Sequence, residues 1–317
     1  MIKDVVSLGL PVGEELIIRK NSIKGTGKDN GKRICIVTGT HGDELEGQYV
    51  TWKLNRILKK NIDKLHGTVD IYPANNPLGI STIYRGIPGY DLDMNRMFPG
   101  NAHTTEFDYV VKRIYEDICG ADLCVDIHAS NIFLREIPQI RINEISTEVL
   151  IPFAKTMNMD FVWIHSSATV LQSTLAYSLN EAGTPTLVVE MGVGMRITQD
   201  YGNQLIDGLL ATMKKMGMWE GEEAPTKPPI ISTDGHVGFV NADSSGLFLP
   251  YIKHGKRVRK KELIGAVVDP LDGAVKEELE SPINGFVFTL REYPVVYDGS
   301  LIARVLGGSN NDTGSTF

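Results

Sequence analysis

At 317 residues the chain is longer than one ordinary domain and can bury at least one large core. Charged residues make up 22% and the formal net charge is -7, which leaves no basic field to collect nucleic acid or an anionic membrane. Cys35, Cys119 and Cys124 lie in or beside apolar runs without metal-site spacing, so they read as reduced core thiols. The first residues lack a secretion signal, and no apolar run nears the roughly 18 residues of a membrane helix. The expectation is a cytoplasmic protein acting on small molecules, with no nucleic acid or membrane partner.

Residues 1–33 predict an edge hairpin, with Glu15 to Arg19 strand-like and a polar, glycine-rich loop after it. The run Ile34-Cys35-Ile36-Val37 predicts a buried strand over 34–39, broken by Gly39 to Asp43 and followed by a helix over about 45–60. A second strand spans 67–73. Residues 74–103 are rich in Asn, Pro and Gly and too long for a simple connection, which marks a working loop. A helix over 106–118 then leads to a third strand over 122–128.

The alternation continues with a helix at 147–157, a strand at 161–164, a helix at 174–182, a strand at 186–190 and a helix at 204–216. Strands alternating with helices of this length predict an α/β fold with a mostly parallel central sheet, whose ligands bind beyond the carboxyl ends of the strands. His41, His128 and Glu190 all stand at or just past such ends. The acidic, proline-rich segment 220–229 reads as a linker between an α/β domain over 1–219 and a small all-β domain over 230–306, before a flexible tail at 307–317.

His41 and Glu44 lie three residues apart where a strand hands over to a helix, so both side chains reach one point. An imidazole and a carboxylate suit zinc, and His128 at the end of Val125-Asp126-Ile127-His128 completes a His, Glu, His set of the kind that holds catalytic zinc. Each residue also has a plainer reading alone: a turn histidine, a strand-end histidine, a helix N-terminal carboxylate. Glu190 ends the apolar run Thr186 to Val189, where a carboxylate is costly to bury without a partner or a task. Beside an activated water it would take the proton and pass it to a leaving amine; otherwise it is a paired charge at a strand end.

Four motifs in order, Gly39 to Glu44, Asp93 to Gly100, Asp126 to His128 and Val188 to Gly192, give the chain a resemblance to the succinylglutamate desuccinylase/aspartoacylase family of the zinc carboxypeptidase superfamily. Asp93-Met94-Asn95-Arg96 departs conservatively from the family's more usual Asp-Leu-Asn-Arg. The resemblance implies a zinc carboxypeptidase-like fold with a small C-terminal β domain, and one Zn2+ per chain. It further implies that Asn95 and Arg96 hold a substrate carboxylate, that Asp93 orients a histidine ligand through its second ring nitrogen, and that Arg85 steadies the oxyanion. Read without the resemblance, these are a solvated loop arginine, a turn aspartate and an exposed arginine. His103 and His165 are weaker candidates for lining a pocket, and Arg135 and Arg141 for choosing a substrate.

The reading implied is a zinc-dependent amidohydrolase acting on a small N-acylated amino acid or related amine that carries a carboxylate, in a chain for which a homo-oligomer stays open. A metallocarboxypeptidase cleaving peptides would use the same residues. A metal-binding scaffold without hydrolase activity is the reading from another class. Glu280 to Phe288 resembles the glycine-turn hairpin of biotin and lipoyl carriers, but Asn284-Gly285 stands where a carrier needs lysine.

Overall fold

The computed structural model describes residues 1–167 and 171–307, so residues 308–317 of the expected tail lie outside the described residues. The chain opens with strands β1 (Ile2–Gly9), β2 (Glu15–Lys24) and β3 (Arg33–Thr38), helix α1 (Glu46–Lys60), β4 (Thr68–Tyr72), and helices α2 (Pro77–Thr82) and α3 (Glu106–Ile118). There follow β5 (Leu123–His128), β6 (Leu134–Asn143), α4 (Thr147–Ala154), β7 (Phe161–His165), α5 (Leu175–Glu181), β8 (Thr186–Gly192) and α6 (Gln199–Lys215). The C-terminal part is all strand: β9 (Ile230–Thr233), β10 (Val237–Asn241), β11 (Gly246–Pro250), β12 (Arg257–Val258), β13 (Leu263–Val268), β14 (Val275–Glu280), β15 (Gly285–Arg291), β16 (Val295–Val296) and β17 (Leu301–Gly307).

The expected hairpin of β1 and β2 forms an edge, and the parallel centre runs β4, β3, β5, β8. Period-two alternation gives each central strand two buried faces. Ile34 and Ile36 of β3 face a core built with Val50, Leu54 and Leu58 of α1, Leu150 of α4 and Leu205 and Leu209 of α6. Cys35 and Val37 face the opposite core, where Phe107, Val110, Val111 and Ile114 of α3 meet Leu175 and Leu179 of α5. Cys35 and Cys124 are therefore core thiols, and burial pushes the Cys35 thiol up to about 12.

Helix α3 begins where expected because Thr105 accepts from the Asp108 amide at 3.1 Å, with Glu106 and Asp108 in the first turn. Helix α4 stops at Ala154, three residues short of expectation; Pro152 lies inside it and Asn158 adopts φ +57° just beyond. Helix α6 starts at Gln199, five residues earlier than expected, since its first turn is polar and carries no apolar signal.

Strand β6 was not expected. Leu134 to Asn143 carries charges and a central proline, features that argue against a buried strand, yet Glu136 and Gln139 are fully buried within it. Its first residues pair with β15 and its last with β7, while its pairing with β8 slips between Glu136 and Gln139, the two residues that flank Ile137 and Pro138. Through that fork the residues beyond 229 divide. Strand β9 pairs with β7, and β15, β17 and β10 continue the main sheet from β6, whereas β14, β13, β11 and β16 make a separate antiparallel sheet. Among the described residues the main sheet has thirteen strands.

Helix α6 lies so close to the turn after α4 that a Cβ on Gly208 would fall 1.9 Å from the Met157 carbonyl oxygen. Alanine favours a helix interior over glycine by about 1 kcal/mol, but overpacking against backbone costs about 1–3 kcal/mol, so the clash decides the sign. Gly208→Ala is expected to lower the urea midpoint of unfolding, not raise it.

Candidate metal centre and its cavity

The loop after β3 is shaped by close backbone contact. A Cβ on Gly42 would fall 2.0 Å from the Gly79 carbonyl carbon, so only glycine lets this loop lie on α2. The Gly42 amide donates to the Arg85 carbonyl at 3.2 Å, which ties the segment after α2 to the loop carrying His41 and Glu44.

Glu44, only 2% exposed, is the hub. His41 Nδ1 and Arg85 Nη1 approach its Oε1 at 2.9 and 2.8 Å, while His128 Nδ1 and the Ala129 amide approach Oε2 at 2.9 and 3.0 Å. Donor atoms of His41, Glu44 and His128 all lie within 4.8 Å of one another, and all three residues are buried. Two imidazoles and a carboxylate, packed this tightly, could hold one metal ion.

Each imidazole has a carboxylate behind it. His41 Nε2 is 3.0 Å from Asp93 Oδ1, whose carboxylate also accepts from the Asn95 amide at 2.9 Å. His128 Nε2 is 3.1 Å from Asp126 Oδ2, off the line of a good hydrogen bond. Such partners fix the orientation of a histidine that presents its other nitrogen to a metal. Asp126 was missed in the sequence reading, although the period of a strand puts residues 126 and 128 on one face.

Burial alone would lower the pKa of His128, but Asp126 and Glu44 outweigh it and raise the value well above 6.5. Burial is likewise overridden at His41 by Glu44 and Asp93. The same contacts, against burial, hold Glu44 well below its ordinary range and Asp93 down at about 2.

The centre opens into a cavity of about 420 Å³ that is also lined by Arg85, Asn95, Arg96, Ser130, Arg141, His165, Tyr177, Glu190 and Arg304. Glu190 sits on β8 beside His128 on β5, accepting from the Ser130 amide at 2.6 Å. Asn95 Oδ1 accepts from the Leu175 amide at 3.0 Å, so its carbonyl end anchors α5. Arg85 Nη1 also donates to the Ser130 carbonyl at 3.1 Å. Of the weaker candidates, His165 and Arg141 line the cavity, whereas His103 is exposed and Arg135 pairs with Glu292 at 3.0 Å. Arg304 had no signal at all in the sequence, because nothing local to it indicates that β17 reaches this cavity.

The family model for the succinylglutamate desuccinylase/aspartoacylase catalytic domain matches residues 30–216, well over half of the chain. The chain belongs to this family. Among solved structures, the succinylglutamate desuccinylase/aspartoacylase from Rhodobacter sphaeroides is 24% identical, with 98% of this chain and 96% of that one covered and a TM-score of 0.81. The product-bound ectoine utilization protein EutE (DoeB) from Ruegeria pomeroyi is 20% identical, with 97% and 95% covered and a TM-score of 0.82. At these identities the likeness shows the fold alone. No curated protein sequence matches the chain. Desuccinylases and aspartoacylases are deacylating hydrolases, and the family places this chain among them. No helix among the described residues is long and apolar enough to cross a membrane.

The raised imidazole values set a sign. In the metal-free protein the stability contributed by His41 and His128 is complete below the unfolded value of about 6.5 and is lost as pH climbs through the raised folded values. A metal ion competes for the same nitrogens. Added Zn2+ is therefore expected to raise the melting temperature more at about pH 8 than at about pH 6, and titration calorimetry in two buffers of different ionisation enthalpy should register proton release.

Proposed function

We propose that the protein is a zinc-dependent hydrolase that cleaves the amide bond of a small N-acylated amino acid or related amine bearing a carboxylate. One observation carries this reading: a single small-molecule-sized cavity is lined by the His41, Glu44, His128 set together with Arg85, Asn95, Arg96 and Glu190. His41, Glu44 and His128 would hold the zinc, which when bound supplies Lewis acidity at the scissile carbonyl and acidifies water.

The chain's own groups divide the remaining work. Arg96 offers a planar pair of donors to the substrate carboxylate, and Asn95 adds its amide nitrogen, the end that Leu175 leaves uncommitted. Arg85 sets its guanidinium beside the carbonyl, where charge develops on oxygen as water adds to carbon. Arg85 Nη1 also pairs with Glu44 Oε1 at 2.8 Å, which holds the guanidinium at the centre.

Glu190 takes the proton from the attacking water. It returns that proton to the amine nitrogen as the C–N bond breaks, leaving a carboxylic acid and a free amine. The Ser130 amide on Oε2 fixes one oxygen of the carboxylate during this exchange. Asp93 and Asp126 keep the imidazoles turned toward Glu44.

Purified, zinc-loaded protein screened on N-acetyl, N-formyl and N-succinyl amino acids beside a dipeptide panel should favour the acylated amino acids. Glu190→Gln is expected to cut kcat roughly a hundred- to ten-thousand-fold while bound zinc stays stoichiometric. Arg96→Ala should act chiefly on KM, and His128→Ala should abolish zinc retention. Protein that binds no stoichiometric zinc, or hydrolysis unchanged in Glu190→Gln, overturns the proposal.

A further inference from the structure

A chain of alternating charges, its two carboxylates buried and its two guanidinium groups half-buried, runs from the last strand to Glu190. Arg304 on β17 donates from Nη1 to Glu136 Oε1 at 3.0 Å, and Arg141 on β6 donates from Nη2 to the same oxygen at 3.1 Å. The other arm of Arg141, Nη1, lies 3.3 Å from Glu190 Oε1. Glu136 is 0% exposed, and its Oε2 accepts from Gln139 at 2.8 Å and from the Thr289 hydroxyl on β15. Both guanidinium groups also pack on Trp163, with ring distances of 5.7 Å for Arg141 and 5.4 Å for Arg304.

The strand irregularity in β6 makes the chain of charges feasible. Residues 136 and 141 are separated by an odd number of steps, so a regular strand would send their side chains to opposite faces. The register shift between Glu136 and Gln139 inserts the extra residue that returns Arg141 to the side of Glu136.

We propose that Arg141, Glu136 and Arg304 are positioning residues that hold the Glu190 carboxylate for proton transfer, and that β15 and β17 thereby take part in the active site. This rests on the reading of Glu190 as the proton carrier. The Ser130 amide fixes Oε2 and Arg141 fixes Oε1, so neither oxygen is free to swing. Arg141, a long side chain, is kept in place by Glu136 on its second arm and by the Trp163 ring, and Glu136 is held in turn by Arg304, Gln139 and Thr289.

A rival reading makes Arg141 and Arg304 a cradle for a second anionic group of the substrate, since both line the cavity and the Nε of each has no hydrogen-bond partner among the described residues. Charge argues against it. Two cations already face two carboxylates, Glu136 and Glu190, leaving no surplus positive charge to attract an anion.

The test compares Glu136→Gln, Arg304→Gln and Arg304→Lys in the zinc-loaded enzyme on its best N-acyl amino acid, with Glu190→Gln as control. If the proposal holds, Glu136→Gln and Arg304→Gln each lose roughly 10- to 100-fold in kcat with KM within about twofold and zinc content unchanged. Arg304→Lys, which keeps a point charge, recovers most of that loss. Independently of any substrate, the melting-temperature losses of Arg304→Gln and Glu190→Gln should fail to add, although no hydrogen bond or ion pair joins the two among the described residues. If Glu136→Gln does not fold, Arg304→Gln and Thr289→Val carry the same comparison. Unchanged kcat, additive melting losses, or a raised KM with kcat intact overturns the proposal, the last in favour of the anion cradle. Full activity in Glu190→Gln instead defeats the underlying assignment of the proton carrier.

Discussion

One carboxylate organises this molecule. Glu44 is buried where the strand after residue 33, the loop before Asn95 and the strand ending at His128 come together, and each of these stretches sends it a donor. An ionised carboxylate at such depth persists only when its partners outweigh the lost hydration. Two imidazoles, a guanidinium and a backbone amide do so, and the resulting set of short distances also suits a small cation. Stability of the sheet's carboxyl end and readiness for a metal are thus the same physical arrangement.

Much of this arrangement is legible in the sequence because the central strands are short apolar runs that end abruptly in polar residues. Ile34 to Thr38, Leu123 to His128 and Thr186 to Glu190 announce both a buried strand and the place where chemistry can begin. His41, Glu44, His128 and Glu190 follow from that pattern, and the Asp93 to Gly100 motif adds Asn95 and Arg96 by resemblance. Where local pattern and tertiary environment disagree, the reading fails. Strand β6 hides because Glu136 and Gln139 are polar yet buried: the cost of burying Glu136 is offset by partners from strands more than a hundred residues later, and Gln139 donates to Glu136 in turn. Arg304 hides for the same reason, since its relevance depends on the pairing of β17 with β15 and of β15 with β6.

The cavity shows a division of labour between rigid and adaptable parts. His128 and Glu190 sit on strands of a continuous hydrogen-bonded sheet and His41 and Glu44 in the short loop that leaves β3, whereas Arg85, Asn95 and Arg96 come from the long segment between β4 and α3. That segment is fastened at defined points, through the Gly42 amide to Arg85 and through Asn95 to the start of α5.

The fork of β6 also bears on how the gene could be cut or rearranged. The segment 220–229 looks from its composition like a natural breakpoint, but strands on its far side hydrogen-bond to β6 and β7 on its near side. A fragment ending there would expose raw sheet edges and strand Glu136 without its guanidinium and hydroxyl partners from β17 and β15. Splitting or transplanting the catalytic half alone would therefore yield a sticky, incomplete particle, and any working chimera would have to carry the two halves together.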